Sequence, residues 1–271
     1  MNQIVEKVLF SEKVAKFVVD APRIARSRKP GHFVILRVDE KGERIPLTIA
    51  GADPVKGTIN LVVQKMGVSS AKLFELNAGD QILDLVGPLG KATHIHQPGT
   101  VLACGGGVGV APMLPIVEAF KKAGNRVISI LAARNKDLII LEDEIRQWSD
   151  EVIVMTDDGS YGTKGLVTAG AEMVIQREKV NECIAIGPAV MMKFTSLLTK
   201  KYQIPTQASL NAIMVDGTGM CGACRVSVGG RTMFTCIDGP EFDAHQIDFD
   251  ELILRLGGYS AEEKMASERY F

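Results

Sequence analysis

Residues 100–112 read TVLACGGGVGVAP, and this stretch decides the fold. An apolar run at 100–104 feeds the cluster Gly105, Gly106, Gly107 and Gly109, and residues 111–123 then carry apolar positions at helical spacing. Glycines at such a strand-to-helix turn remove Cβ atoms, so backbone N–H groups can point at a pyrophosphate. The start of the helix adds partial positive charge at the same place. Pro112 suits a first helical turn, where its missing N–H costs nothing. The spacing is G-x-G-x-x-P, not the G-x-G-x-x-G of the dinucleotide fingerprint, so a tight turn without a ligand stands as the alternative. On the ligand reading, Gly106, Gly107, Val108, Gly109, Ala111 and Pro112 form the nucleotide turn.

On the C-terminal side the pattern repeats. Apolar runs at 126–132, 151–155 and 182–186 alternate with helical stretches at 141–148, 166–176 and 189–201. Strands alternating with helices predict βαβ units and a parallel sheet. Ligands of such sheets bind beyond the carboxyl ends of the strands. Arg134 follows one strand, Thr156, Asp157 and Asp158 another, and Gly187 and Pro188 a third; together they make a lining for a nicotinamide nucleotide, though each alone is equally an ordinary turn.

On the N-terminal side, runs at 13–19, 32–38, 57–64 and 81–86 have a period near two. Turn signals at Lys29-Pro30-Gly31, Lys41-Gly42, Asp53-Pro54 and Gly87-Pro88-Leu89-Gly90 separate them. Short strands at this spacing predict a small antiparallel barrel, interrupted by one short helix at 70–76. Residues 44–48, read as lying between two strands, offer a cation, a rigid turn and a hydroxyl. Gly67, Val68, Ser69 and Ser70 precede the short helix, whose N-terminus can face a second pyrophosphate. The expected fold is therefore a β barrel (1–98), an α/β parallel-sheet domain (99–207) and a small C-terminal module (208–271) with a polar helical tail.

The third segment holds Asp216-Gly-Thr-Gly-Met-Cys221-Gly-Ala-Cys224, followed by Cys236. Spacings of four, two and eleven residues match the plant-type iron–sulfur pattern, with Asp at the first position. Asp216, Cys221, Cys224 and Cys236 are thus the candidate metal ligands. A zinc site would call for a second short knuckle, which this segment lacks, and three unrelated buried thiols are the other alternative. Asp216 could instead cap the glycine turn, the fourth ligand then coming from elsewhere, for example His245. Cys104 and Cys183 lie in apolar strands and read as core thiols. His94 and His96 form a pair in a strand-like linker, read as a surface feature.

Composition narrows the classes. With 46% hydrophobic and 23% charged residues, the chain is neither disordered nor a disulfide scaffold. A net charge of −1 argues against a nucleic acid or anionic membrane held by bulk electrostatics. No secretory signal and no apolar run long enough for a membrane helix are read, and a cytoplasmic chain is expected. Three of the five cysteines within 16 residues favour metal over disulfides.

The motifs PGHF (30–33), PLT (46–48), GPLG (87–90), GGGVGVAP (105–112), TDDGSYG (156–162), GPAVMM (187–192) and DGTGMCGACRV (216–226), in this order, resemble the ferredoxin–NADP reductase superfamily with a C-terminal [2Fe-2S] module. Within it the chain is similar to the electron-transfer subunit of dihydroorotate dehydrogenase B. It resembles most the small subunit of NADH-dependent reduced ferredoxin:NADP oxidoreductase, also called sulfide dehydrogenase. The resemblance implies FAD in the barrel, NAD(H) on the α/β domain, and electrons leaving through the cluster. By position, Pro46, Leu47 and Thr48 would line the isoalloxazine, with Thr48 near flavin N5. Val62, Val63 and Gln64 would flank the flavin, Ser69 and Ser70 after Gly67 would hold its pyrophosphate, and the glycine turn would hold NAD. Hydride would pass from NADH to FAD, then single electrons to the cluster. A larger flavin and iron–sulfur subunit would be the partner, coupling NADH and ferredoxin to NADP by electron bifurcation or its reverse. Three positions depart from the superfamily. Ile45 stands where the flavin motif has Arg, leaving Arg44 one residue earlier; Leu47 replaces an aromatic, and Ile186 a Cys. Asp216, where the dihydroorotate subunit has Cys, favours the reduced-ferredoxin family. A zinc-binding interaction module on a decayed reductase fold is the alternative of another class.

Overall fold

A computed structural model describes residues 2–270; the expected outer limits at residues 1 and 271 lie outside them. The N-terminal part is built from β1 (Ile4–Leu9), β2 (Val14–Asp20), α1 (Pro22–Ser27), β3 (Phe33–Arg37), β4 (Ile45–Asp53), β5 (Thr58–Gln64), α2 (Val68–Glu75) and β6 (Asp84–Leu89). Its six strands are ordered β1-β2-β5-β4-β3-β6, all pairs antiparallel. A bridge between Gln3 and Gln81 joins the two ends, closing the sheet around Phe17, Leu36, Ile49, Ile59 and Leu61. Closure removes sheet edges that would otherwise pair with other chains.

Two expectations change here. Residues 45–48 do not lie between strands but form the first half of β4. Pro46 is tolerated because β4 changes partners midway. Its residues 45–48 pair only with β3, and pairing with β5 starts at Ile49. The missing Pro N–H therefore faces no ladder. Likewise Gly87, Pro88 and Leu89 belong to β6, Leu89 pairing with Phe33 across a bulge, and are not a turn.

The middle part comprises β7 (Thr100–Gly106), α3 (Val110–Lys122), β8 (Arg126–Ala133), α4 (Glu142–Trp148), β9 (Glu151–Thr156), β10 (Thr163–Lys164), α5 (Val167–Arg177), β11 (Glu182–Ile186), α6 (Ala189–Lys201) and β12 (Thr206–Ser209). Strands β7, β8, β9, β11 and β12 run parallel, as the alternation of runs predicts. Cys104 and Cys183 are fully buried in this sheet, and all five cysteines are free thiols.

The last part holds a hairpin of β13 (Arg225–Val228) and β14 (Arg231–Phe234), then α7 (Thr235–Asp238), β15 (Glu241–Asp243), α8 (Phe249–Leu256) and α9 (Ser260–Tyr270). It is not a separate layer. Strand β15 pairs antiparallel with β12 and ends the seven-stranded sheet. One hydrophobic core joins Phe33 and Ile35 of the barrel, Ala185 and Met192 of the α/β part, and Cys224, Val226 and Cys236. Helix α9 is polar and exposed, as expected. The linker carrying His94 and His96 is irregular, not strand-like, because its backbone donors and acceptors go to three different parts. No described helix is long and apolar enough to cross a membrane.

Candidate functional site

The turn at the end of β7 divides its glycines by task. A Cβ on Gly109 would stand 2.4 Å from the Ile186 carbonyl oxygen, and one on Gly106 2.3 Å from Met191 Sδ. These two glycines let β7, β11 and α6 approach each other. Gly107, in a 3-10 turn with φ +55°, has open space where a side chain would be. It is the glycine whose backbone a nucleotide can reach. Ala111 is buried with Met113 and Val117 in a core that also takes in Val14, Ala50 and Val62 of the barrel. Val108 and Pro112 are half-buried at the mouth of the turn. This shared core seats the start of α3 against β4 and β5, so the two expected cofactor regions are neighbours.

Two loops line the far side of this crevice and are tied to each other. Asp157 N–H donates to the Ala133 carbonyl (3.1 Å), Asp158 N–H to the Arg134 carbonyl (3.2 Å), and Lys136 N–H to Ser160 Oγ (2.9 Å). Thr156 is buried; its hydroxyl donates to the Tyr161 carbonyl (2.6 Å) and accepts from Tyr161 N–H (3.2 Å), so it closes the loop and is not free for a ligand. Arg134, Asp157, Asp158 and Pro188 are exposed around the opening, with Gly187 half-buried beside them. Hydrogen bonds from Ser160, first from its side chain and then from its backbone, hold the Asp158 carboxyl below its ordinary range. The sequence placed Ser160 and Tyr161 in the TDDGSYG motif without giving them a role; only the structure sets the Lys136 ammonium 5.8 Å from the Tyr161 ring centre.

In the barrel, Pro46, Leu47 and Thr48 are half-buried along the stretch of β4 that lacks a β5 partner, an open backbone edge suited to a flat ligand. The Thr48 hydroxyl has no hydrogen-bond partner among the described residues. Val62 and Val63 turn their side chains into two different cores, leaving Gln64 half-exposed. Helix α2 then begins at Val68, two residues before the expected start, because Ser70 caps it. Ser70 Oγ accepts from Met66 N–H (2.9 Å) and Gly67 N–H (3.0 Å). The Ser70 hydroxyl is thus committed, and Ser69 donates to Glu43 (3.2 Å). What remains for a phosphate is the backbone of the first helical turn. Arg44 is exposed nearby, and Ile45 packs on the barrel core.

The loop from Asp216 to Cys224 folds back on the barrel. Gly217 has φ +73°, and a Cβ there would meet Ile35 and Leu89, each at 2.7 Å. Asp216 accepts from Thr218 N–H (2.9 Å) and Cys221 N–H (2.8 Å), which lowers its pKa. Cys224 and Cys236 are buried with sulfurs 3.1 Å apart. Burial and the Cys224 thiol push Cys236 up to about 12. The residues therefore gather as two pairs, Asp216 with exposed Cys221 and buried Cys224 with Cys236. Among the described residues no three stand together as a ready metal site. The donor set nevertheless fits an iron–sulfur cluster: two facing thiols without a cation are costly as thiolates, and iron would supply the missing positive charge. His245 is bound to Thr199 (3.1 Å) on α6, a contact that occupies its Nε2. Exposed Met220, Val215 and Ile237 rim the loop.

Comparison with known proteins assigns the three parts. The oxidoreductase FAD-binding domain family matches residues 2–94, the oxidoreductase NAD-binding domain family residues 104–196, and the iron–sulfur cluster binding domain of dihydroorotate dehydrogenase B residues 211–248. A Thermotoga maritima protein, named as an electron transfer subunit homolog of dihydroorotate dehydrogenase B (NAD(+)), is 47% identical over 270 residues, covering 100% of this chain and 95% of the relative. A probable subunit of the same name from Methanocaldococcus jannaschii is 35% identical, covering 92% of this chain and 90% of the relative. A chain of an NADH-dependent reduced ferredoxin–NADP oxidoreductase, solved in connection with flavin-based electron bifurcation, superposes with a TM-score of 0.95 at 46% identity, covering 100% and 98% of the two chains.

Proposed function

This chain belongs to the dihydroorotate dehydrogenase B-type electron-transfer subunits, oxidoreductase chains with FAD-, NAD- and iron–sulfur-binding domains, and on that footing we propose that it relays electrons between NADH and a partner subunit. The observation that carries the reading is the juxtaposition of the nucleotide turn with β5, beside the half-paired edge of β4, while the cysteine loop packs through Gly217 on β3 and β6, the strands that follow β4 on its other side. When bound, the flavin accepts hydride from the nicotinamide and the iron–sulfur cluster carries single electrons onward.

The chain's own residues bind and orient. Pro46, Leu47 and Thr48 present the open edge of β4 to the flavin ring, the Thr48 hydroxyl serving as a donor near its reactive nitrogen. Gln64 and the first turn of α2 hold the flavin's polar ends. Gly107 and the start of α3 take the nucleotide pyrophosphate, and the loops at Arg134 and Asp157 its adenosine side. Asp216, Cys221, Cys224 and Cys236 hold a [2Fe-2S] cluster, two ligands inside and two at the surface. The exposed pair and its apolar rim face the receiving subunit, a larger flavin and iron–sulfur protein. Free thiols as ligands favour the cytoplasm, where they stay reduced.

The residue that selects among related complexes is Asp216. Its carboxylate in place of a thiolate favours an NADH-dependent reduced ferredoxin:NADP oxidoreductase, working by electron bifurcation or its reverse. The shared names of the relatives favour a dihydroorotate dehydrogenase as the second reading. The test is native co-purification with anaerobic flavin extraction and iron analysis. We expect one FAD and about two irons per chain, and a partner oxidising reduced ferredoxin. A folded preparation holding neither flavin nor iron refutes the relay, and a dihydroorotate-oxidising partner transfers the chain to the second reading.

A further inference from the structure

The three parts of the chain meet at the linker after β6. Thr93 N–H donates to the Pro30 carbonyl of the barrel (2.9 Å), and Lys91 N–H to the Gly239 carbonyl of the last part (2.6 Å). The Thr93 hydroxyl donates to Glu241 Oε1 on β15 (2.7 Å). Further along, the Asn125 amide donates to the His96 carbonyl (2.8 Å), and His96 Nε2 lies 3.2 Å from Glu182 Oε2 on β11. Gly31 closes the joint, since a Cβ there would come within 2.6 Å of Thr93 Oγ1 and 3.2 Å of Glu241 Oε1. Between these groups lies a cavity of about 220 Å³.

Two carboxylates line this joint, Glu182 buried and Glu241 half-buried. Among the described residues the only charge partner set against them is the His96 ring beside Glu182, a cation when protonated. The Glu182 side chain is 8% exposed, and its Oε2 has no hydrogen-bond partner, the nearby His96 ring being misaligned. Glu241 has the Thr93 hydroxyl. Of the other described groups facing the cavity, His96 and His94 oppose the Glu182 charge when protonated, and none pairs a cation with Glu241. Lys91 on the linker is drawn to Asp238 after β14 (3.9 Å), and His94 stacks on His96 with ring centres 5.1 Å apart. Helix α3 contributes Phe120, β12 contributes Gln207, and the barrel turn contributes Gly31 next to His32. A carboxyl taken out of water without a cation favours its neutral form.

We propose that Glu241 is a proton-controlled latch at this three-way joint, closing linker, sheet and cysteine segment together when neutral and loosening them when ionised. The proton exchanges with solvent through the cavity, so no co-reactant is needed. Burial first, and then the like charge of Glu182, raise Glu241 from its ordinary 4.5 to about 7, against the opposing pull of Thr93. Glu182 is raised as well, by burial, against the opposing charges of His96 and His94. The closed joint thus holds a proton that the open joint releases. Its stability is complete below the ordinary carboxylate range and is lost as pH rises through about 7.

Hydrogen–deuterium exchange of the linker amides, on the full chain loaded with its cofactors, tests the latch. After correction for intrinsic exchange, protection at Lys91 and Thr93 should fall about tenfold between pH 6 and pH 8. Glu241→Gln should flatten this dependence, and Glu182→Gln should move its midpoint to lower pH. Wild-type protection that is flat in pH, a Glu241→Gln profile that keeps the wild-type slope, or a midpoint unmoved in Glu182→Gln overturns the proposal.

Discussion

Gly107 and Gly109 stand two positions apart and answer to different constraints. Alanine at 109 must push a Cβ against the Ile186 carbonyl, which is backbone and cannot turn aside. Overpacking of this kind costs about 1–3 kcal/mol, so Gly109→Ala should lower the thermal midpoint by several degrees whether or not nucleotide is present. Gly107→Ala meets open space and only the strain of a positive φ. It should leave the midpoint closer to wild type while weakening nucleotide binding, measured by titrating the oxidised protein with NAD+. Equal loss of stability in both variants would undo this division. At Asp216 the carboxylate caps its turn through Thr218 and Cys221 amides, yet stands where the plant-type spacing expects a cluster ligand. If it is a ligand, Asp216→Ala should deplete iron or change the EPR spectrum of the reduced protein, and Asp216→Cys should restore a four-thiolate signal. Full occupancy with an unchanged spectrum in the Ala variant would leave Asp216 as a cap alone.

At the scale of elements, the proposed nucleotide site makes the carboxyl ends of β8 and β9 the place where one nucleotide would be chosen over another. Asp157 and Asp158 sit where the adenosine side is expected; of the cations near them besides Arg134, Lys136 lies by the Tyr161 ring with its N–H on Ser160, and Lys164 acts on the Asp158 carboxylate. An acidic group there accepts a ribose hydroxyl and repels a 2′-phosphate. NADH should therefore reduce the flavin faster than NADPH in stopped-flow measurements, and neutralising Asp157 and Asp158 to Asn should narrow the ratio. Equal or faster reduction by NADPH in the wild type would reverse the assignment. Strand β4 shows how an element can be misread: Pro46 looks like a strand breaker, but it pairs with β3 on a stretch whose β5 side has no ladder until residue 49. The change of partner also leaves the open edge on which the flavin proposal rests.

The whole molecule is held by cores that ignore the expected limits at 98 and 207. Phe33, Ile35, Met192 and Cys236 share one core, and Val62 shares another with Val110 and Ala111. Removing 208–271 should therefore expose apolar surface on both remaining parts and take away the last strand of the large sheet. The shortened chain is expected to bind a hydrophobic dye and lose its cooperative thermal transition. A sharp transition near the wild-type temperature would show that the segment is an independent module.

Local chemistry was legible before any coordinates. The strand–glycine–helix run at 100–112, the alternation of apolar runs and helices to residue 201, and the Asp216, Cys221, Cys224, Cys236 spacing each arise from contacts within a few residues, which periodicity and turn chemistry record. The family resemblance added the order of the cofactor regions, which the domain matches bear out. Tertiary structure alone decided the rest. It showed that Gly106 and Gly109 serve packing, that Thr156 and Ser70 spend their hydroxyls inside their own loops, and that β15 ends a sheet begun far earlier in the chain. The Thr93–Glu241 contact spans 148 residues. A pairing over such a distance leaves no periodic trace, because each partner alone is an ordinary polar residue and only the packing of the three parts brings them into contact.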